Sequence, residues 1–182
     1  SWGGEEYKIR RKLIENDLVE SIVILPSDMF YTTNISVTLW ILNKNKKARS
    51  LEINWNIKNY RDRQKEVLFM DLRTMWEPFE KKYVQFSQND IEKITNTYHN
   101  WQQKDFETKY QNIAEFCYSA SFEEIAKKDF SLVPSKYIEF VNRDENIDFD
   151  EKMTALQEEF SSLLKEEEQS KQDLLLVFKK LG

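Results

Sequence analysis

Phe30 and Tyr31 are the residues of this sequence best placed to do chemistry. They are two adjacent aromatics in S-D-M-F-Y-T-T-N (27–34), just after the apolar run V-E-S-I-V-I-L-P (19–26). A β-branched run ended by Pro26 reads as a buried strand, and ligands of α/β sheets bind beyond the carboxyl ends of such strands. The pair has two open uses: a stacking platform for a flat ring, or a plug that seats the loop on the core. A second group, Lys44, Lys46, Lys47 and Arg49, offers cations to phosphate, or forms a solvated turn tip.

Elsewhere the residue types exclude more than they offer. A loop that cradles a nucleotide needs glycines so that backbone N–H groups can approach it, and glycine stands only at positions 3, 4 and 182. His99 is the sole histidine, and with no nucleophile or metal ligand at a useful spacing it reads as a solvated helix residue. Cys117 is the sole cysteine, so the sequence holds no cysteine pair for a disulfide or a cysteine-rich zinc site. The carboxylates form no recognisable acid/base couple. No catalytic residue and no metal ligand is assigned.

The elements that position these residues follow from periodicity. Tyr7, Arg11, Ile14 and Leu18 recur at helical spacing and predict a helix over 5–15, broken by Asn16 and Asp17. Runs 19–25 and 35–42 predict strands whose continuous apolarity implies cover on both faces, as in an α/β sheet. Leu51, Ile53, Trp55 and Ile57 alternate with polar residues, which predicts one further strand at or near a sheet edge. Residues 67–71 supply a fourth strand. Ser87 or Asn89 can cap a helix whose stripe is Ile91, Ile94, Tyr98 and Trp101. S-F-E-E at 121–124 has the form of a capping box before a brief helix that stops ahead of Pro134, and 137–141 reads as extended. After an acidic linker (142–148), Phe149, Met153, Leu156, Phe160, Leu163, Glu167, Ser170, Leu174, Val177 and Leu181 alternate spacings of four and three. The rise per residue gives that helix a length of roughly 50 Å. Its apolar seam either folds back on the chain's own domain or, as its length suggests, packs on a helix of another chain.

Composition sets the outer limits. At 182 residues with 40% apolar and 14% aromatic content, the chain suits one modest core plus an appendage. No run is long and apolar enough for a membrane span and the start lacks a signal-peptide layout, so cytoplasm is the expected location. The net charge of -5 conceals an asymmetry: residues 1–66 hold 12 Lys+Arg against 9 Asp+Glu, and 141–182 hold 6 against 11. A sequence pI near 5.2 argues against tight binding of DNA by this chain alone, so any DNA contact is expected to need partners.

The string 9–44, containing I-R-R-K-L-I-E-N-D-L-V-E-S-I-V-I-L-P-S-D-M-F-Y-T-T-N-I-S-V-T-L-W-I-L-N-K, resembles the modification subunit of type I restriction-modification systems. The resemblance continues through K-E-V-L-F-M-D-L-R (65–73), D-I-E-K-I-T-N-T-Y-H-N-W (90–101), residues 116–138 and the terminal helix, and so covers nearly the whole chain. The stretch 51–63 is longer than the family pattern and reads as a local insertion.

Such subunits are similar to S-adenosylmethionine-dependent adenine-N6 DNA methyltransferases, with the methyl donor at a glycine motif and the target amine at an Asn-Pro-Pro-aromatic motif. Neither motif occurs here, since Pro26, Pro78 and Pro134 are isolated. The resemblance therefore implies an α/β fold comprising the last strands of a Rossmann-like methyltransferase sheet, then a helical region and a long carboxy-terminal heptad helix. The parts would be the end of the methyltransferase domain (1–73), a mixed helical and extended region (74–141), and a linker with an assembly helix (142–182). The parent would use S-adenosylmethionine; this chain alone is expected to bind none, to be inactive, and either to self-associate through exposed hydrophobic edges or to be marginally stable.

By the same resemblance Phe30, with Tyr31 as second choice, packs against an adenine flipped out of double-stranded DNA. Phe149, Met153, Leu156, Phe160, Leu163, Leu174, Val177 and Leu181 would dock the DNA-specificity subunit, which chooses the DNA site. The resemblance implies a second modification subunit in that assembly, and leaves open whether a restriction subunit joins it. Two rival readings stand beside this one. A non-enzymatic adaptor with a coiled-coil tail fits the missing motifs but not the aromatic loop. A stand-alone nucleic-acid-binding module fits the basic front but not the acidic total.

Overall fold

The computed structural model describes residues 4–141 and 149–181. The side chains of Ile53, Phe149, Asp150, Glu151, Asp173, Leu175, Leu176, Val177, Lys179, Lys180 and Leu181 lie outside that description. The expected acidic linker (142–148) and helix stop (Gly182) also fall outside it. The chain divides into two units, residues 1–141 and 142–182.

The first unit begins with α1 (Glu5–Glu15), which carries Glu5 and Glu6 in its first turn and Lys12 in its last, matching the helix dipole at both ends. Asp17, at φ 54°, turns the chain out of it. Strand β1 (Val19–Ile24) follows and is buried. Beside it lie β2 (Thr38–Leu42), β5 (Glu66–Asp71) and β8 (Cys117–Ser121), in the order β2-β1-β5-β8. β1 and β5 run parallel, while β2 and β8 are antiparallel to their neighbours, so the sheet is mixed. Ile22, Val67 and Phe69 face one apolar cluster with Ile125 and Tyr137, the Tyr137 ring stacked on Phe69 at 4.2 Å. Val23, Leu68 and Met70 face the other, with Trp101 and Phe116. This alternation is the period-two pleat expressed on a strand covered on both sides.

The expected capping box at Ser121 forms, and Ser87, one of the two expected caps of the preceding helix, makes a second. Ser87 opens α2 (Gln88–Gln102) with Asp90 as its reciprocal partner, and Ser121 opens α3 (Phe122–Lys127) with Glu124, each satisfying two otherwise orphaned N–H groups. Of the expected stripe on α2, Trp101 is fully buried, Ile94 and Tyr98 are partly so, and Ile91 is exposed.

Three expectations are corrected. The run 35–42 does not give a strand covered on both faces: β2 starts at Thr38, is exposed along its length, and pairs only with β1 among the described residues. The alternating run 51–57 is not one strand. Asn54 and Trp55 take φ of 50° and 63° and fold it into a hairpin of β3 (Arg49–Ile53) and β4 (Asn56–Tyr60), which leaves Trp55 93% exposed rather than on a core. Residues 137–141 form no strand; a short 3-10 turn (Pro134–Lys136) buries Tyr137 and Ile138 instead. A small hairpin, β6 (Glu77–Phe79) and β7 (Tyr83–Gln85), completes the unit.

The second unit is α4 (Phe149–Leu181), a 33-residue helix. Taken by itself, it leaves Met153, Leu156, Phe160, Leu163 and Leu174 exposed, and Glu167 pairs with Lys171 one turn on at 2.8 Å. No helix among the described residues is long and apolar enough to cross a membrane.

Candidate nucleic-acid interface

The loop from β1 to β2 leaves the carboxyl end of β1. It is tied at its neck by Leu25 N–H donating to Val37 O at 2.8 Å, and it takes a left-handed turn at Asp28, φ 57°. Beyond that turn Phe30 and Thr33 form an isolated bridge, with Thr33 N–H donating to Phe30 O at 3.3 Å. Phe30 is 39% and Tyr31 68% exposed, so neither ring is a plug in the core. They line an open cavity of about 230 Å³ with Asp28, Thr32, Thr33, Asn34, Lys82 and Tyr83. Tyr83 meets Tyr31 edge-on, 4.6 Å between ring centroids. The Glu80 carboxylate faces the Tyr31 hydroxyl at 3.5 Å and its charge raises the phenol's pKa.

Asp71 and Arg73 stand at the same end of the sheet, since Ile24 of β1 is opposite Asp71 of β5. The buried Asp71 carboxylate accepts from Arg73 Nε at 2.9 Å and Nη2 at 2.6 Å, a bidentate pair that raises the guanidinium's pKa by hydrogen bonding. Sequence reasoning missed Tyr83 and Arg73, for no local pattern links them to residues more than forty positions earlier.

The basic group lies at the other end of β1. Asn43 N–H donates to Leu18 O at 2.8 Å, just ahead of that strand, and β1's own length separates this end from the aromatic loop by about 17 Å. Lys46 is a correction. It is buried, 2% exposed, and its Nζ is spent internally on Asp17 Oδ1 (2.6 Å), Glu66 O (2.7 Å) and Val19 O (3.0 Å). It is not free to meet a phosphate. Lys44 and Lys47 are exposed, and the Arg49 guanidinium lies 5.0 Å from the Tyr60 ring. The structure therefore does not bring these cations together with Phe30 and Tyr31.

That lower end is braced by buried charge. Glu20 accepts from Tyr98 Oη at 3.2 Å, from Gln102 Nε2 at 3.3 Å and from Asn43. Arg63 Nη2 lies 3.3 Å from Glu20, too poorly aligned for a hydrogen bond, so Arg63 Nε and Nη2 have no hydrogen-bond partner among the described residues. Its Nη1 donates to Arg61 O and Gln102 O. A larger cavity of about 690 Å³, lined among others by Arg61, Glu66, Asn100, Tyr110 and Ser119, opens on this side, away from the aromatic loop. His99 is half-buried, edge-on to Phe106 at 5.0 Å, and not the solvated residue expected from the sequence.

The family described as N-6 DNA Methylase matches residues 1–146. The chain is 37% identical over 89% of its length to the type I restriction enzyme HindI methylase subunit of Haemophilus influenzae, of which it covers 32%. It is 30% identical over 100% of its length to the MjaIX methylase subunit of Methanocaldococcus jannaschii, of which it covers 30%. It thus spans about a third of the length of these relatives. Among solved structures it is similar to the type I restriction-modification system methyltransferase subunit from Streptococcus thermophilus, with a TM-score of 0.58 and 27% identity over 76% of this chain and 24% of that one.

Proposed function

The chain belongs to the N-6 DNA methylase family, and from that premise we propose that it is the carboxy-terminal part of an adenine-N6 DNA methyltransferase subunit of a type I restriction-modification system. In this role residues 1–73, with β8 paired to β5, close the catalytic sheet, the loop carrying Phe30 and Tyr31 lines the target-base pocket, and α4 docks the DNA-specificity subunit within an assembly that holds a second modification subunit. A restriction subunit can join the same assembly. Localisation follows its substrate, cytoplasmic DNA.

The observation that carries the reading is the solvent-facing pair of aromatics on a cavity at the carboxyl ends of the parallel strands. A base extruded from the duplex needs flat apolar walls to replace its lost stacking, and Phe30 offers one. Lys44, Lys47 and Arg49, at the opposite end of β1, would serve only phosphates farther along the duplex.

S-adenosylmethionine supplies the methyl group in this chemistry. The residues present do not fit it: glycine stands only at 3, 4 and 182, and no described strand leads through a glycine turn into a helix. Its site is assigned to the rest of the parent subunit.

The test is methyl transfer from labelled S-adenosylmethionine to DNA by the parent subunit assembled with its specificity subunit. Base–aromatic stacking is worth about 1–3 kcal/mol, so Phe30→Ala should slow transfer by about 5- to 150-fold and Phe30→Tyr should restore most of it. Wild-type transfer by Phe30→Ala would overturn the assignment. The adaptor reading is favoured by one observation, the exposed seam of α4, and would prevail if the parent subunit methylated no DNA.

A further inference from the structure

The β6–β7 hairpin contributes Lys82 and Tyr83 to the outer side of the aromatic cavity. Val84 N–H donates to Asp28 O at 3.2 Å, which ties β7 to the base of the loop. Glu80 and Lys81, both non-glycine residues at positive φ (35° and 51°), make the turn that presents the next two side chains to the loop. Such backbone is sparsely populated and is held only where surrounding contacts determine it. Tyr83 then packs edge-on against Tyr31, and Lys82 is exposed with its Nζ 5.4 Å from the Tyr83 ring.

The cavity's chemistry narrows its occupant. Phe30, Tyr31 and Tyr83 contribute aromatic rings, Thr32, Thr33 and Asn34 hydroxyl and amide groups, Lys82 a cation and Asp28 a carboxylate, so the lining is more polar than apolar. At about 230 Å³ it falls below the roughly 300–1,000 Å³ of sites for drug-sized ligands, a size suited to one base. A flat ring, a polar edge and an anion outside it describe a single nucleotide.

We propose that the β6–β7 hairpin is the second wall of this nucleotide cleft, with Tyr83 a positioning residue that holds Tyr31 against the base and Lys82 the contact to the phosphate of the extruded nucleotide. The inference rests on the reading that the loop receives the target base. Tyr31, largely exposed, has little else to fix its rotamer: one long contact to Glu80 and the edge of Tyr83. Removing the Tyr83 ring frees it, and misplacing one wall of a site by about 1 Å can cost on the order of a hundredfold in rate.

The experiment uses the full-length parent subunit assembled with its DNA-specificity subunit, and a duplex carrying 2-aminopurine in place of the target adenine, whose fluorescence rises when the base leaves the stack. Tyr83→Ala is expected to lower that rise severalfold and the methylation kcat by roughly tenfold to a hundredfold, with KM for S-adenosylmethionine unchanged; Tyr83→Phe keeps the ring edge and should restore both. Lys82→Gln, a change at an exposed side chain that leaves folding intact, should weaken DNA binding and make the salt slope shallower by about one. A normal fluorescence rise in Tyr83→Ala, or a loss as deep in Tyr83→Phe, overturns the Tyr83 assignment, and an unchanged salt slope overturns that of Lys82. Phe30→Ala separates the two levels: if it abolishes the rise while Tyr83→Ala does not, the hairpin falls and the base-binding loop stands, and if it leaves the rise intact the loop reading itself falls.

Discussion

Replacing Lys46 by alanine separates a structural cation from a DNA-binding one. Its ammonium makes three hydrogen bonds, to Asp17 Oδ1, Val19 O and Glu66 O, at 2.6, 3.0 and 2.7 Å. The loop around it is held by Arg63 N–H donating to Lys46 O at 2.9 Å. Breaking a buried ion pair by removing one partner costs about 3–5 kcal/mol, because the other charge is left uncompensated. Here the Asp17 side chain keeps 24% of its exposure and also accepts the Lys65 N–H at 2.9 Å, so water and that donor recover part of the loss. The estimate settles near 3 kcal/mol, a large share of the roughly 5–15 kcal/mol that holds a domain folded. With a urea dependence of about 2 kcal/mol per molar, the unfolding midpoint should fall by about 1.5 M. Urea unfolding followed by tryptophan fluorescence reads this directly, since Trp101 is fully buried beside the same strands. Lys44→Gln and Lys47→Gln, at exposed positions, should stay within about 0.5 kcal/mol of the parent. A midpoint unmoved by Lys46→Ala, with DNA affinity of the assembled enzyme reduced, would refute the reasoning and restore Lys46 as a surface contact.

Three further outcomes rest on His99, Cys117 and the seam of α4. Burial, and secondarily the charge of Lys58, lower the pKa of His99 below its ordinary 6.5; the folded state thus disfavours the protonated ring, and its stability, full above about pH 6.5, should decline as pH falls through that value toward the folded pKa. An NMR titration of the sole histidine checks this, and a pKa at or above 6.5 would sink it. Cys117 is buried, and burial raises its thiol pKa, so a disulfide reagent should label it only as fast as the chain opens; rapid labelling of native protein would contradict that. Leu156→Glu with Phe160→Glu, on the exposed seam of α4, should abolish co-purification with the specificity subunit while leaving the midpoint of the first unit unchanged, and retained co-purification would return the seam to a role within its own chain.

What the sequence made legible is what local physics decides. The β-branched run of β1, the apolar run of β5, the helical spacing of α1 and the capping box at Ser121 need no tertiary information, and all form where their patterns point. The strand β8 reads C-Y-S-A-S, small and polar, and becomes a strand only because β5 offers it a ladder. Lys46 looks solvated in K-N-K-K because composition cannot show that Asp17, Val19 and Glu66 converge on it. Trp55 fits an alternating strand until two left-handed residues turn the chain. The aromatic loop was legible because two rings follow a buried strand at once; Tyr83 was not, because only the folded hairpin brings it to Tyr31.

The open edge of β2 joins these observations to the proposed role. Leu39, Trp40, Ile41 and Leu42 are all exposed, on both faces of a strand with no proline, bulge at its outer side or charged residue among its five positions. Natural edges are protected by such devices because an apolar, unpaired edge templates association, and since these side chains are already about half buried, covering the rest of each is worth about 1 kcal/mol. A sheet that continues past β2, with the next strand supplied by the rest of the parent subunit, accounts for the composition of this edge. The loop bearing Phe30 leaves the sheet by β1 and returns by β2, tied at the neck by Leu25 and Val37. Pairing at β2 would then seat the base-binding loop in the same event that completes the sheet, so the assembled subunit should position Phe30 in a way the separate chain does not.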